Sequence, residues 1–171
     1  MAGIPSLALL ANERSRIYLR RTEDAKKEER LETLRKWQEQ WDRSTKGRWT
    51  HRLIPNIREW VERKHGEVNY HLTQLLSGHG YFRRHSQRYD NTINAQCPTC
   101  PHMVEDAEHV FFHCWRFDEE RRRLNVLCQE EMTPENIIGL MLTSEPNWHV
   151  VASFAHVVVT RLRHKEMARR R

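Results

Sequence analysis

Four potential metal ligands, spaced Cys97-x2-Cys100-x8-His109-x4-Cys114, constrain this chain more than any other feature of its sequence. Two thiolates in a CxxC turn can reach one ion, and a His and a Cys returning from a short loop complete a tetrahedron. This mixture of soft and borderline ligands suits Zn²⁺, which brings no redox chemistry. Four protein ligands leave no open coordination position, so the spacing predicts one structural zinc rather than a catalytic one. His113 is the rival fourth ligand, and its loop would still be short for a DNA-reading finger. Cys114 is preferred because it binds as a thiolate. The competing reading is a set of reduced core cysteines beside surface histidines. His102 is expected to be exposed. Cys128, next to Val126 and Leu127, is expected as a small buried thiol on an apolar helical face.

A metal-assisted core suits what the rest of the chain offers. Of 171 residues, 30% are charged and 38% hydrophobic, and the mean hydropathy is −0.86. That leaves little apolar material for a core, partly offset by six Trp residues. The formal charge of +6 permits binding to nucleic acid or another anionic surface. Its distribution is more informative. From Asn12 to Arg52 there are 13 Lys/Arg against 8 Asp/Glu, and from Arg161 to Arg171 six basic residues against Glu166. Val104 to Glu131 reverses the balance, with 8 acids against 4 arginines. Both ends are basic and the cysteine-rich part is acidic. No run of 18 apolar residues could span a membrane, and Met1 to Pro5 does not start a secretory signal. The expected setting is therefore intracellular, nuclear or cytoplasmic, where metal ligation by cysteine is favoured over disulfides.

The periodicity predicts an all-α protein: an irregular helical domain with one zinc knuckle, preceded by a long basic N-terminal helix. Residues 1–46 read as a charged helical arm and 47–171 as the helical zinc-knuckle domain. In the arm, Ser6 can cap a helix, Leu34, Trp37 and Trp41 follow a buried stripe, and Gly47 breaks the run. Between Arg20 and Arg30 the arm is almost wholly charged, which suits a solvated or frayed helix. Further helices are predicted from Pro55 to Lys64, from Asn69 to Leu76 with a stop at Gly78 or Gly80, and from Tyr81 to Tyr89. Asn91 to Pro101 reads as turns. Helices follow through His109 after an Asp106 cap, from Asp118 to Gln129, from Thr133-Pro134, and from about Pro146 into the basic tail. Val157-Val158-Val159 is β-branched but lies in helical period.

Arg83, Arg84 and Arg88, together with Arg48 and Arg52 nearer the start, are the candidate contacts to nucleic acid; the alternative for each is a solvated helical face. Glu105, Asp106 and Glu108 beside the knuckle would repel phosphate. The metal is accordingly expected to pin the 91–114 segment onto neighbouring helices and to leave nucleic-acid contact to these arginines. His65-Gly66-Glu67 followed by the CxxC imitates the arrangement of zinc deaminases. That reading is opposed by the lack of a proline before Cys97, by weak strand signals, and by leaving His109 and Cys114 unused.

The runs Gly47-Arg48-Trp49-Thr50, Leu53-Ile54-Pro55-Asn56-Ile57 with Trp60, and Asn69 through Gly80 are followed by the knuckle, Glu108 through Cys114, Leu140-Met141-Leu142 and Pro146-Asn147-Trp148. In this order they resemble the carboxy-terminal region of insect-type non-LTR retrotransposon reverse transcriptases, from about Gly3 to Lys165. The resemblance implies a piece that follows the polymerase fingers, palm and thumb. It would help hold template RNA and target DNA, with that reverse transcriptase core as partner. No Tyr/Phe-x-Asp-Asp motif or endonuclease constellation occurs here, and nucleotide transfer needs metal-holding carboxylates. The expectation is a nucleic-acid-binding accessory module that is not itself an enzyme. A zinc-stabilised protein-interaction module, anchored by exposed aromatics such as Trp115 or Phe117, is the alternative.

Overall fold

The computed structural model describes residues 4–20, 23–91 and 93–169. These residues form helices and turns, with one isolated antiparallel bridge between Gln96 and Val104. The predicted all-α class with a Cys3His cluster is what the chain adopts. The backbone divides into two compact units, one ending at Lys64 and the other starting at His65.

In the first unit, the single charged helix expected at the N-terminus is two helices, α1 (Leu7–Arg20) and α2 (Glu23–Arg43), packed on each other. The charged stretch is not simply solvated; it pairs across the helices. Glu29 is buried and receives Arg16 and, at 3.3 Å, Arg20, while Arg20 also meets Glu28 at 2.5 Å and Arg30 meets Glu13 at 3.8 Å. Leu9, Ala25, Leu34 and Trp37 supply the buried apolar side. After Gly47 come α3 (Arg48–Leu53) and α4 (Ile57–Val61). The start of α4 lies two residues after Pro55, because the Asn56 side chain accepts from the Glu59 N–H and caps it. Trp41 Nε1 donates to the Ile54 carbonyl at 2.9 Å. Gln38 both donates to the Pro55 carbonyl and accepts from the Ile57 N–H, which fastens α4 to α2.

The second unit is built around α9 (Glu145–Arg169), against which α5 (Tyr70–Ser77), α7 (Asp118–Cys128) and α8 (Ile137–Thr143) pack. Trp148, Val151, Phe154, Ala155, Val158, Val159 and Leu162 are buried in steps of three and one, so Val158 and Val159 of the β-branched triplet sit in a helical stripe. Burying each large side chain contributes roughly 1.5–3 kcal/mol. Asn69 caps α5 through bonds from the His71 and Leu72 N–H groups, and Gly78 ends it in the left-handed conformation. The predicted 81–89 helix is only α6 (Arg83–Ser86), which loosens into successive turns up to Asp90. Thr133 does not start regular helix either; it exchanges side-chain bonds with Asn136 across a turn, and α8 begins after it.

Gly66 is held at φ +82°, and a Cβ there would sit 2.1 Å from Cδ2 of Trp148. Only glycine fits where the chain enters this unit. Among the described residues, no helix is long and apolar enough to cross a membrane.

Candidate metal centre

The segment carrying the first two cysteines folds as a tight hairpin. The Cys97 N–H donates to the Met103 carbonyl at 2.7 Å and the Glu105 N–H to the Ala95 carbonyl at 2.8 Å. His102, at φ +64°, supplies the reversal and is exposed, as expected. Cys97 and Cys100 thus come to lie on the inner side of the turn, both buried.

His109 and Cys114 are delivered by a single widened turn, His109–His113, in which the Cys114 N–H reaches the His109 carbonyl at 2.7 Å. In a regular α-helix, residues five apart would point about 140° away from each other. The π-type turn inserts the extra residue needed to bring both side chains to the same ion-sized space. Asp106 accepts from the His109 N–H at 2.9 Å and fixes where the turn starts. Arg121, itself buried, donates to the Phe111 carbonyl at 3.3 Å and the Cys114 carbonyl at 3.1 Å and so closes its end. Inside this turn, Phe111 packs edge-on against Phe82 and Phe154.

The four predicted ligands converge. One ligand atom from each of Cys97, Cys100, His109 and Cys114 lies within 4.8 Å of the others, and all four residues are buried. The Cys114 sulfur is 3.8 Å from that of Cys97 and 3.7 Å from that of Cys100, far beyond a disulfide. Ligands at about 2.3 Å from a tetrahedral zinc would be spaced about 3.8 Å apart. His109 gives the sharpest test of fit: both its ring nitrogens are buried and neither has a hydrogen-bond partner. Such orphaned atoms are costly unless something else satisfies them, and a metal would. His113, the rival ligand, is exposed and outside the cluster.

The electrostatics point the same way. Burial keeps His109 below the usual imidazole range, leaving it neutral and able to ligate. Burial also pushes the Cys114 thiol up to about 11, despite the bond from Arg116. Burial acts against the Cys97 thiolate too, but backbone N–H groups of Thr99 and Cys100 and the Arg116 charge outweigh it and lower that thiol. With burial holding the Cys114 thiol protonated, a divalent cation would supply the charge that lets this sulfur ligate as a thiolate.

Arg116 is the residue the sequence reading missed. Its Nε donates to the Cys114 sulfur at 3.2 Å, and one Nη reaches both the Cys97 sulfur at 3.5 Å and Glu105 at 2.5 Å. The Glu105 side chain is only 4% exposed, so it orients Arg116 and does not present charge to phosphate as expected from sequence. Further acids are likewise engaged locally: Asp118 with Arg121 and Arg122, Glu119 with Arg123, and Glu120 with Arg161. The only signal in the sequence was an arginine two residues after a ligand.

Other sequence candidates are placed as follows. Arg84 and Arg88 are exposed and Arg83 half-buried on α6 and the turn after it. The Arg84 N–H donates to the Glu105 carbonyl at 3.1 Å, which ties this basic turn directly to the knuckle. Arg48 and Arg52 lie on α3 in the first unit; Arg48 donates to the Ser44 carbonyl at 3.0 Å near the end of α2. His65 bonds the Met141 carbonyl at 3.0 Å and abuts Trp148, so it stands outside the metal cluster and the deaminase-like arrangement is not formed. Trp115 is 71% exposed, but Phe117 is buried under Arg116 and Arg161 and offers no surface anchor. Cys128 is half-buried at the end of α7, beside Val126 and Leu127 that face solvent, so its neighbourhood is not the buried apolar face expected.

No family model matches the chain, and no solved structure does. Known relatives are nonetheless informative. The chain is 30% identical over 95 residues to the "Retrovirus-related Pol polyprotein from type-1 retrotransposable element R1" of Popillia japonica, covering 55% of this chain and 36% of that protein. It is 31% identical over 85 residues to the corresponding R1 2 polyprotein of Nasonia vitripennis and 35% identical over 87 residues to that of Bradysia coprophila. These matches cover 50% of this chain and, respectively, 20% and 8% of the relatives. The chain spans about a third of the longest-covered relative and far less of the others. Over half its length, then, it is similar to retrotransposon Pol polyproteins.

Proposed function

We propose that this chain is a nucleic-acid-binding accessory module of a retroelement reverse transcriptase, stabilised by one structural Zn²⁺ on Cys97, Cys100, His109 and Cys114. The observation that carries the reading is the bond from the Arg84 N–H to the Glu105 carbonyl. Through it the knuckle holds the turn that presents Arg83, Arg84 and Arg88. Bound zinc would supply no reaction; it would cross-link the 97–114 segment and fix that turn in place. RNA or DNA is the ligand, and the polymerase core of a parent polypeptide is the partner that does the chemistry. Similarity to Pol polyproteins and the arginine-rich turn support this assignment.

Salt-titrated binding of single-stranded RNA and DNA tests it. Log K is expected to fall linearly with log salt, with a slope of about −0.7 per phosphate neutralised on a single strand. Replacing Arg83 and Arg84 together with alanine should weaken binding and flatten that slope. Binding that ignores both salt and this double substitution would sink the proposal.

A second reading is favoured by exposed Trp115, Val126 and Leu127. It makes the unit a docking module for the polymerase core. In that case Trp115→Ala would abolish association with the core, and the arginine substitutions would leave it intact.

A further inference from the structure

The second unit contains a cleft of about 700 Å³ whose walls are unusually aromatic. That volume falls within the range of small-molecule sites. One wall is a relay of edge-to-face rings: His79 meets His85 at 4.8 Å, and His85 meets Tyr89 at 5.4 Å. The lining also includes Tyr70, whose hydroxyl bonds that of Tyr81 at 3.1 Å. Tyr89 is 81% exposed and Tyr70 54% exposed, so two large ring faces are displayed to solvent rather than spent on a core. The His85 ring is oriented by the backbone of Gly80, where a Cβ would fall 1.9 Å from Gln74 Oε1. The Gly78-His79-Gly80 corner therefore exists to let this wall approach α5. Burial, His85 and the nearby Arg88 keep His79 below the usual imidazole range, so it presents a neutral ring. Arg169 lines the rim, where it pairs with Glu166 at 2.9 Å and feels the Asp90 charge, and Arg88 stands close to His79.

We infer that this cleft takes an unpaired nucleobase, its face stacked on Tyr89 and Tyr70 and a flanking phosphate met by Arg88. The chemistry fits that ligand on three counts. Aromatic faces stack on any base, and arginines track the backbone. A paired base hides its faces inside the helix, so the site selects single strands over duplex. The cleft also adjoins the Arg83–Arg88 turn, where a strand held by its phosphates would already run. The inference rests on the nucleic-acid reading above and adds to it a discrete site for the base.

Fluorescence anisotropy with labelled oligo-uridylate and a duplex of equal charge tests it. The full chain, loaded with zinc, is compared with Tyr89→Ala, Tyr70→Ala and Tyr89→Phe. Each alanine variant should weaken single-strand binding by about tenfold, and the phenylalanine variant should stay within about twofold of the parent, because the ring is kept. The salt slope should not move, since no phosphate contact is removed. Duplex binding should not change either. Both tyrosines are exposed, and unchanged circular dichroism would confirm intact folding. If the parent binds single strands and both alanine variants bind equally well, the cleft is not a base site, although the nucleic-acid reading stands. Equal losses for single strand and duplex would also overturn it. If the parent binds no oligo-uridylate at any salt concentration, the broader reading fails and this inference with it.

Discussion

At the scale of single residues, Arg116 ties the cysteine cluster to the hairpin that carries Glu105. It contacts two ligand sulfurs and is itself gripped by buried Glu105. Such outer partners orient ligands and tune their basicity, and their loss typically costs ten- to a hundredfold in metal affinity. Arg116→Ala is therefore expected to weaken zinc binding by that factor in a chelator competition; unchanged affinity would mean the contacts are incidental. The convergence of the four residues was legible in the sequence because Cys97 and Cys100 share one turn and His109 and Cys114 another, so spacing alone limits what they can do. The choice of Cys114 over His113 was legible from thiolate chemistry. Arg116 and Glu105 were not, because their roles depend on the hairpin and the wide turn facing each other. Read as sequence, Glu105 was one acid among several.

Between residues and the whole chain, the elements succeed where local codes are strong. Asn69 and Gly78 bracket α5, and the apolar stripe of α9 outweighs its β-branched triplet. They fail where the deciding contact is distant. The packing of α1 on α2 rests on contacts between residues far apart in sequence, such as Arg16 with buried Glu29, which no local pattern announces. The π-type turn from His109 was likewise invisible, since its reason is the geometry of the cluster and not the propensity of its residues. Gly66 offers a test at this scale. Gly66→Ala must place a methyl group into the Trp148 ring and adopt a positive φ, which together cost about 2–4 kcal/mol. Chemical denaturation of the zinc-loaded chain should show a loss of that size, and a loss below ~0.5 kcal/mol would mean Trp148 moves aside freely.

For the molecule as a whole, a polar chain with a modest core carries a buried Cys3His cluster that could hold a metal ion. Because an ion that binds only the folded state stabilises it by mass action, zinc at 1,000 times its dissociation constant adds about 4 kcal/mol. Chelation is expected to lower the melting temperature of the second unit and to release the turn bearing Arg83, Arg84 and Arg88, so nucleic-acid affinity should fall along with it. An unchanged melting curve after verified zinc removal would contradict that coupling. The charge asymmetry seen in the sequence keeps its meaning only in part, since many acids around the knuckle are paired with nearby arginines.

Native mass spectrometry with elemental analysis of the purified chain tests the proposed metal centre most directly. One zinc per chain is predicted, retained in His113→Ala and lost in His109→Ala and in Cys114→Ala. A metal-free parent chain, or a His109→Ala chain that keeps its full complement of zinc, would contradict the account.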